Sequence, residues 1–160
     1  MGRSEAADLA RLAALAGRIF HTPIAYVAVL QPESQPVCRI GAGTDYWECL
    51  EALPAVQDLV SPVVVQNLPD DCGDLGFAAM APIDTFCRKR LGKLVIAGHA
   101  VRPAFTAEDL ANLADLADVL ANRIEVRMIA AQAVVTKSLY REAISPHLPR
   151  PEANLGVLTA

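Results

Sequence analysis

FAAMAPIDTFCRKRLGKLVIAGHAVRPAFTAEDLANL, residues 77 to 113, decides the fold class of this 160-residue chain. Two apolar runs, FAAMAPIDTF and LGKLVIAGH, predict antiparallel strands, and the basic stretch Cys87-Arg88-Lys89-Arg90 between them predicts the hairpin turn. A long helix follows. Thr106 is a good N-cap, Asp109 three residues on can reach back to complete a capping box, and Phe105 and Leu110 stand at hydrophobic-staple positions.

Upstream, Ser4 is expected to cap a first helix running to Phe20, with Leu9, Leu12, Ala16, Ile19 and Phe20 as its apolar stripe. Pro23 pushes the preceding residue towards an extended conformation and stops that helix. The run from Pro23 to Leu30 is β-branched, aromatic and apolar on both faces, which predicts a buried strand covered by helices. A turn-rich connector, residues 31–36, leads to a hairpin partner starting at Val37-Cys38-Arg39-Ile40 and closed by Gly41-Ala42-Gly43. Asp45 followed by Glu48 gives a capping-type start for the helix YWECLEAL. Pro54 interrupts that helix and restarts it as PAVQDL. Residues VVVQN, after Ser61-Pro62, predict a third strand, followed by an irregular acidic segment from Leu68 to Asp74.

Downstream, the last helix is expected from Ala107 to about Ile144, with Leu110, Leu113, Ala117, Leu120, Ile124, Met128, Ala131 and Val135 on one stripe. Its first half can pack on the domain. The second half has no intramolecular surface left to cover, so a partner helix is the natural occupant, with a spacing nearer an 11-residue than a strict heptad repeat. The reading is a domain over residues 1–130, a helical extension over 131–144 and a Pro-punctuated, disordered tail over 145–160.

Composition excludes several function classes. With 53% hydrophobic residues the chain is globular, and a net charge of −4 argues against phosphate-backbone binding. No apolar run approaches a membrane span, and Glu5, Asp8 and Arg11 occupy the place of a signal peptide's apolar region, so the expectation is a cytoplasmic protein with no membrane or nucleic-acid partner. Cys38, Cys49, Cys72 and Cys87 are then reduced thiols, and without a Cys-x-x-Cys knuckle no zinc site is expected.

The element order, together with Gly92, Leu94 and Ile96 and then Arg102, Phe105, Thr106, Glu108, Asp109 and Leu113, resembles the GAF domain family over roughly residues 5 to 130. LARLAALAGRIFHTPIAYVAVL also resembles that family's first helix and strand. The resemblance implies an α+β fold: a central five- or six-stranded antiparallel sheet with helices on both faces and a long C-terminal helix. The first and last helices would share one face. The helices of residues 46–60 and the loop 68–77 would cover the other, enclosing a pocket that in many relatives takes a small molecule.

On that basis the candidate ligand-binding residues are Trp47, Cys72, Phe77 and Met80, with core packing as the plain alternative for Trp47, Phe77 and Met80. The Cys-His pair of bilin-binding members and the Asn-Lys-x-Phe pattern of cyclic-nucleotide members are absent, so the cofactor is unknown. The enzymatic branch, free methionine-(R)-sulfoxide reductase, would use Cys72. Its motif run is replaced by Ala79-Met80-Ala81-Pro82, and Asp70, Asp71 and Asp74 oppose thiolate formation. His99 and His21 lack partners at ligand spacing, and Arg88, Lys89, Arg90 and Lys93 are expected at a solvated hairpin tip. The expected function is therefore a non-enzymatic sensory or regulatory domain, homodimeric through its first and last helices. A sulfoxide reductase and a dimerising scaffold with a filled pocket are the alternatives.

Overall fold

The computed structural model describes residues 2–31, 36–100 and 105–144. In chain order the elements are helix α1 (Arg3–Phe20), strands β1 (Ile24–Val29) and β2 (Cys38–Ala42), short helices α2 (Trp47–Glu51) and α3 (Pro54–Gln57), strand β3 (Val63–Gln66), strands β4 (Phe77–Asp84) and β5 (Arg90–Gly98), and helix α4 (Ala107–Ile144). Single 3-10 turns at Thr44–Tyr46 and Asp70–Cys72 precede α2 and β4. Arg102 of the motif text, most of the 31–36 connector and the tail 145–160 lie outside the described residues.

The five strands form one antiparallel sheet, as the family resemblance implies, and their order is β2-β1-β5-β4-β3. Strand period two then divides the apolar residues into two layers. Ala25, Val27, Val29, Ala79, Ala81, Leu94 and Ile96 point to the side covered by α1 and α4. Ile24, Tyr26, Ala28, Ala78, Met80, Val95 and Ala97 point to the side covered by α2, α3 and the Asp70–Cys72 turn. All six residues of β1 are buried, which explains its lack of polar alternation. Gly92 is set by close approach: a Cβ there would lie 2.0 Å from the carbonyl oxygen of Ala28 on the neighbouring strand.

Several boundaries differ from expectation for local reasons. Helix α1 starts from Gly2, not Ser4, because the Glu5 carboxylate accepts the Gly2 backbone N–H at 2.9 Å. Its buried stripe is Leu9, Ala13, Ala16 and Phe20, while Ile19 is 47% exposed. The helix ends where His21 adopts a left-handed φ of 54° and Thr22 N–H donates to Gly17 O, ahead of Pro23. No Asp45 cap forms; the chain enters α2 through a 3-10 turn led by Gly43. Pro54 does open α3. The hairpin turn spans residues 85–89, where Thr85 N–H donates to Lys89 O and Lys89 N–H to Thr85 Oγ1. Arg90 accordingly belongs to β5.

The box before α4 forms reciprocally: Thr106 N–H donates to Asp109 Oδ2 at 2.8 Å, and Asp109 N–H to Thr106 Oγ1 at 3.1 Å. Phe105 sits between Phe20 and Phe77, with ring centroids 5.8 and 6.0 Å away. The chain divides into two compact units, one ending at Glu125 and the other starting at Val126. In the first, Leu113, Ala117, Leu120, Ala121 and Ile124 of α4 are buried. In the second, described through Ile144, residues 128–143 are exposed. Among the described residues no helix is long and apolar enough to cross a membrane.

Candidate functional site

Helix α2 has five residues, far too few to be stable alone, so tertiary contacts must hold it. Leu50 and Leu53 anchor it by burial against the sheet. Glu51 anchors it by charge. One carboxylate oxygen of Glu51 accepts from Arg39 Nε of β2 at 2.7 Å, and the other lies 3.1 Å from Lys93 Nζ of β5. The Arg39 guanidinium also stacks 3.9 Å from the centre of the Trp47 ring. A single carboxylate thus ties the cover helix to two strands, one of them at the centre of the sheet.

Beneath this triad lies Tyr26, fully buried, whose hydroxyl has no protein hydrogen-bond partner among the described residues. Burial and then the negative charge of Glu51 push its ionisation well above the ordinary tyrosine range, partly offset by Arg39.

Beside α2 a cleft of about 320 Å³ opens between the α2–α3 corner and the Asp70–Cys72 turn. Glu48, Cys49, Pro54, Pro69, Asp71 and Cys72 are among its lining residues. That volume is at the lower end for small-molecule sites, which run from about 300 to 1,000 Å³.

Of the four residues named from sequence, Cys72 lines this cleft and Trp47, Phe77 and Met80 do not. Trp47 is 39% exposed and paired with Arg39. Met80 is buried in the layer under α2, with the fully buried Leu50 and Tyr26. Phe77 lies over Gly98 and against Phe105, and its odd position on β4 puts it on the opposite side of the sheet from Met80. Burial, a hydrogen bond with Cys49 and the charges of Cys49 and Asp71 push the Cys72 thiol up to about 12. Of the acidic neighbours identified from sequence, Asp71 acts in that direction, and burial is the larger cause.

The basic cluster is also redistributed. Arg90 donates to Asp84 Oδ1 and to the carbonyl of Leu59, and Lys93 pairs with Glu51, so neither belongs to a solvated tip. Arg88 and Lys89 do. His99 Nδ1 lies 3.1 Å from Asp74 Oδ2 at an exposed edge, and His21 is the C-cap of α1. Among the described residues no three His, Cys, Asp or Glu side chains are placed to share a metal.

The residues that sequence reasoning missed are Arg39, Glu51, Lys93 and Cys49. The available signal was a charge inside an apolar strand, as in Val37-Cys38-Arg39-Ile40 and Gly92-Lys93-Leu94. Such a charge needs a partner.

No protein-family model matches the sequence, and no curated protein gives a significant match. Solved structures do match. The GAF domain of a protein described as a sensor histidine kinase from Pseudomonas syringae pv. tomato superposes with TM-score 0.60 at 19% identity, over 82% of each chain. The second GAF domain of DevS from Mycobacterium smegmatis gives TM-score 0.56 at 22% identity, over 82% of this chain and 99% of that one. A GAF domain region from a Geobacter sulfurreducens PCA protein gives 0.62 at 15%, over 77% and 94%. At these identities the likeness is one of fold, and the fold of this chain is that of a GAF domain.

Proposed function

We propose that the chain is a non-enzymatic sensory or regulatory module, cytoplasmic and homodimeric through α1 and α4, which takes a small ligand in the cleft beside α2. The observation that carries this reading is the exposure of apolar side chains along the C-terminal part of α4. Val126, Ile129, Val134, Val135, Leu139 and Tyr140 are each 57–69% exposed. Covering one such aliphatic side chain fully is worth roughly 1.5–3 kcal/mol, so a helix that leaves six in water is built to be covered. Leu15 and Ile19 of α1 and Val119 of α4 add exposed apolar surface in the first unit. Two of the structural neighbours are domains described as parts of sensor histidine kinases, from Pseudomonas syringae pv. tomato and Sinorhizobium meliloti 1021, which fits a regulatory role.

Ligand binding transmits a signal only if the ligand prefers one packing arrangement over another. The raised pKa of Cys72 weighs against the sulfoxide-reductase alternative, since a nucleophilic thiol needs a depressed one. Native mass spectrometry at micromolar concentration tests the proposal: it predicts a dimer, and a monomer alone would overturn the homodimeric reading. The same spectrum reports any retained small molecule. NADPH-coupled turnover of free methionine sulfoxide would overturn the non-enzymatic reading.

A further inference from the structure

Cys49 and Cys72 come from different elements and meet at the cleft. Cys49 is on α2, half-buried, with its Sγ 3.2 Å from the Tyr46 carbonyl. Cys72 ends the 3-10 turn on the facing wall and is 1% exposed. Cys49 packs against the apolar cluster that contains Cys72, and both residues line the cleft. The other cysteines are placed elsewhere, Cys38 on β2 and Cys87 exposed on the hairpin turn.

We propose that Cys49 and Cys72 form a redox site, oxidised by a hydroperoxide to a disulfide that fastens α2 to the Asp70–Cys72 turn across the cleft. The inference does not depend on the ligand reading. Cys49 is the attacking group, because it is the more accessible of the two. Its thiol loses its proton to solvent, and the sulfur attacks the peroxide. The O–O bond breaks, and the departing oxygen takes up a proton to leave as an alcohol, or as water from hydrogen peroxide. Cys49 is then a sulfenic acid. The sulfur of Cys72 attacks that sulfur, the S–O bond breaks as S–S forms, and the leaving hydroxide takes the Cys72 proton as water. Two thiols are oxidised by two electrons in all, and one peroxide bond is reduced.

The Cys72 side of the pair is suited to resolving and not to initiating. Burial keeps it a thiol at neutral pH, so it is protected from oxidant until a sulfenic acid forms beside it. The two segments it would join carry no helix longer than five residues, so the link falls on elements that lack stability of their own.

The test uses the full chain as a Cys38→Ser/Cys87→Ser variant, which leaves only this pair. The protein is treated with a stoichiometric amount of hydrogen peroxide, denatured, alkylated with N-ethylmaleimide and cut after acidic residues. Trypsin is unsuitable, because no Lys or Arg lies between residues 40 and 87 and both cysteines stay on one peptide. The expected result is loss of both alkylatable thiols, an intramolecular peptide pair joining Cys49 to Cys72, and recovery of both thiols with dithiothreitol. With Cys49→Ser added, Cys72 should stay alkylatable through the same treatment. Two results overturn the inference: both thiols remaining alkylatable after exposure that fully oxidises Cys87 in the unmodified protein, or Cys49 proceeding to sulfinic acid with no crosslink. A urea midpoint for the starting variant equal to that of the unmodified protein establishes that the tested pair is in its native setting.

Discussion

Replacing Glu51 by Gln removes the charge that holds α2 while keeping the shape of the side chain. Glu51 is only 10% exposed, and its partners Arg39 and Lys93 are 19% and 24% exposed, so the ion pairs sit between the two measured regimes. Breaking a fully buried pair costs about 3–5 kcal/mol, whereas a solvated pair contributes about 0.2–1 kcal/mol. Glutamine retains one acceptor oxygen for either Arg39 or Lys93, which lowers the loss. We expect a destabilisation of about 2 kcal/mol, equivalent to a fall in Tm of about 4–8 °C for a chain of this size. Urea unfolding followed by tryptophan fluorescence is the natural assay, because Trp47 is the only tryptophan and lies against Arg39. The midpoint should fall with an unchanged m-value. A cycle with Arg39→Met should give a coupling of about 1 kcal/mol or more. A Tm shift below about 1 °C, or zero coupling to Arg39, would refute the assignment of Glu51 as the anchor of α2.

Gly92→Ala should lower Tm severely or prevent folding, since the new methyl meets the Ala28 carbonyl at 2.0 Å; a circular-dichroism melt that matches the unmodified protein would contradict that register. Thr106→Ala removes half of the capping box and should cost about 1 kcal/mol, read as a Tm fall of about 2–4 °C. Alkaline pH should destabilise the fold from about pH 9. Below that value Cys72 is protonated in both states; between 9.0 and about 12 the unfolded thiol ionises and the folded one does not, so stability falls as pH rises. Tyr26, whose ionisation is also raised, adds to the loss above pH 10, and Cys72→Ala should flatten the first part of the profile measured by urea titration. Tyr26→Phe removes a buried hydroxyl with no protein partner and should leave stability within about 1 kcal/mol or raise it; a loss beyond that would mean the hydroxyl is satisfied in solution.

The sheet was legible because its signals are local. Strand periodicity, the Thr106–Asp109 box and the prolines at 23 and 54 act within a few residues, and the structure uses each of them. Cap identity was less legible at Gly2. Ser4 looks the better side-chain acceptor, but Glu5 reaching the Gly2 backbone fixes the start two residues earlier. The site was the least legible part, because it depends on which face of a strand each residue occupies. Phe77 and Met80 are three apart on one strand, and an odd step sends their side chains to opposite layers. Arg39, Glu51 and Lys93 are far apart in sequence and meet only through the β2-β1-β5 order. The same holds for Cys49 and Cys72.

The covers on the two sides of the sheet differ in kind. Helix α1 has 18 residues and the buried part of α4 runs from Leu113 to Ile124, so that layer is held by helices with several turns and a continuous apolar stripe. The other layer rests on helices of five and four residues and on a three-residue 3-10 turn. Segments that short have no stability apart from the contacts they make, so their opening free energy is the sum of a few terms: Leu50, Leu53 and Val56 against the sheet, Glu51 against two cations, and Cys49 against the same apolar cluster. Remove one of these and the cover over β1 and β5 loosens while the α1 side keeps all of its own contacts. The ion pairs of Glu51 and the packing of Cys49 both act on α2 within a helix of five residues, so its position rests on a small number of contacts. A regulatory input of a few kcal/mol, from a ligand in the cleft or a bond across it, is large enough to act there and too small to disturb the sheet.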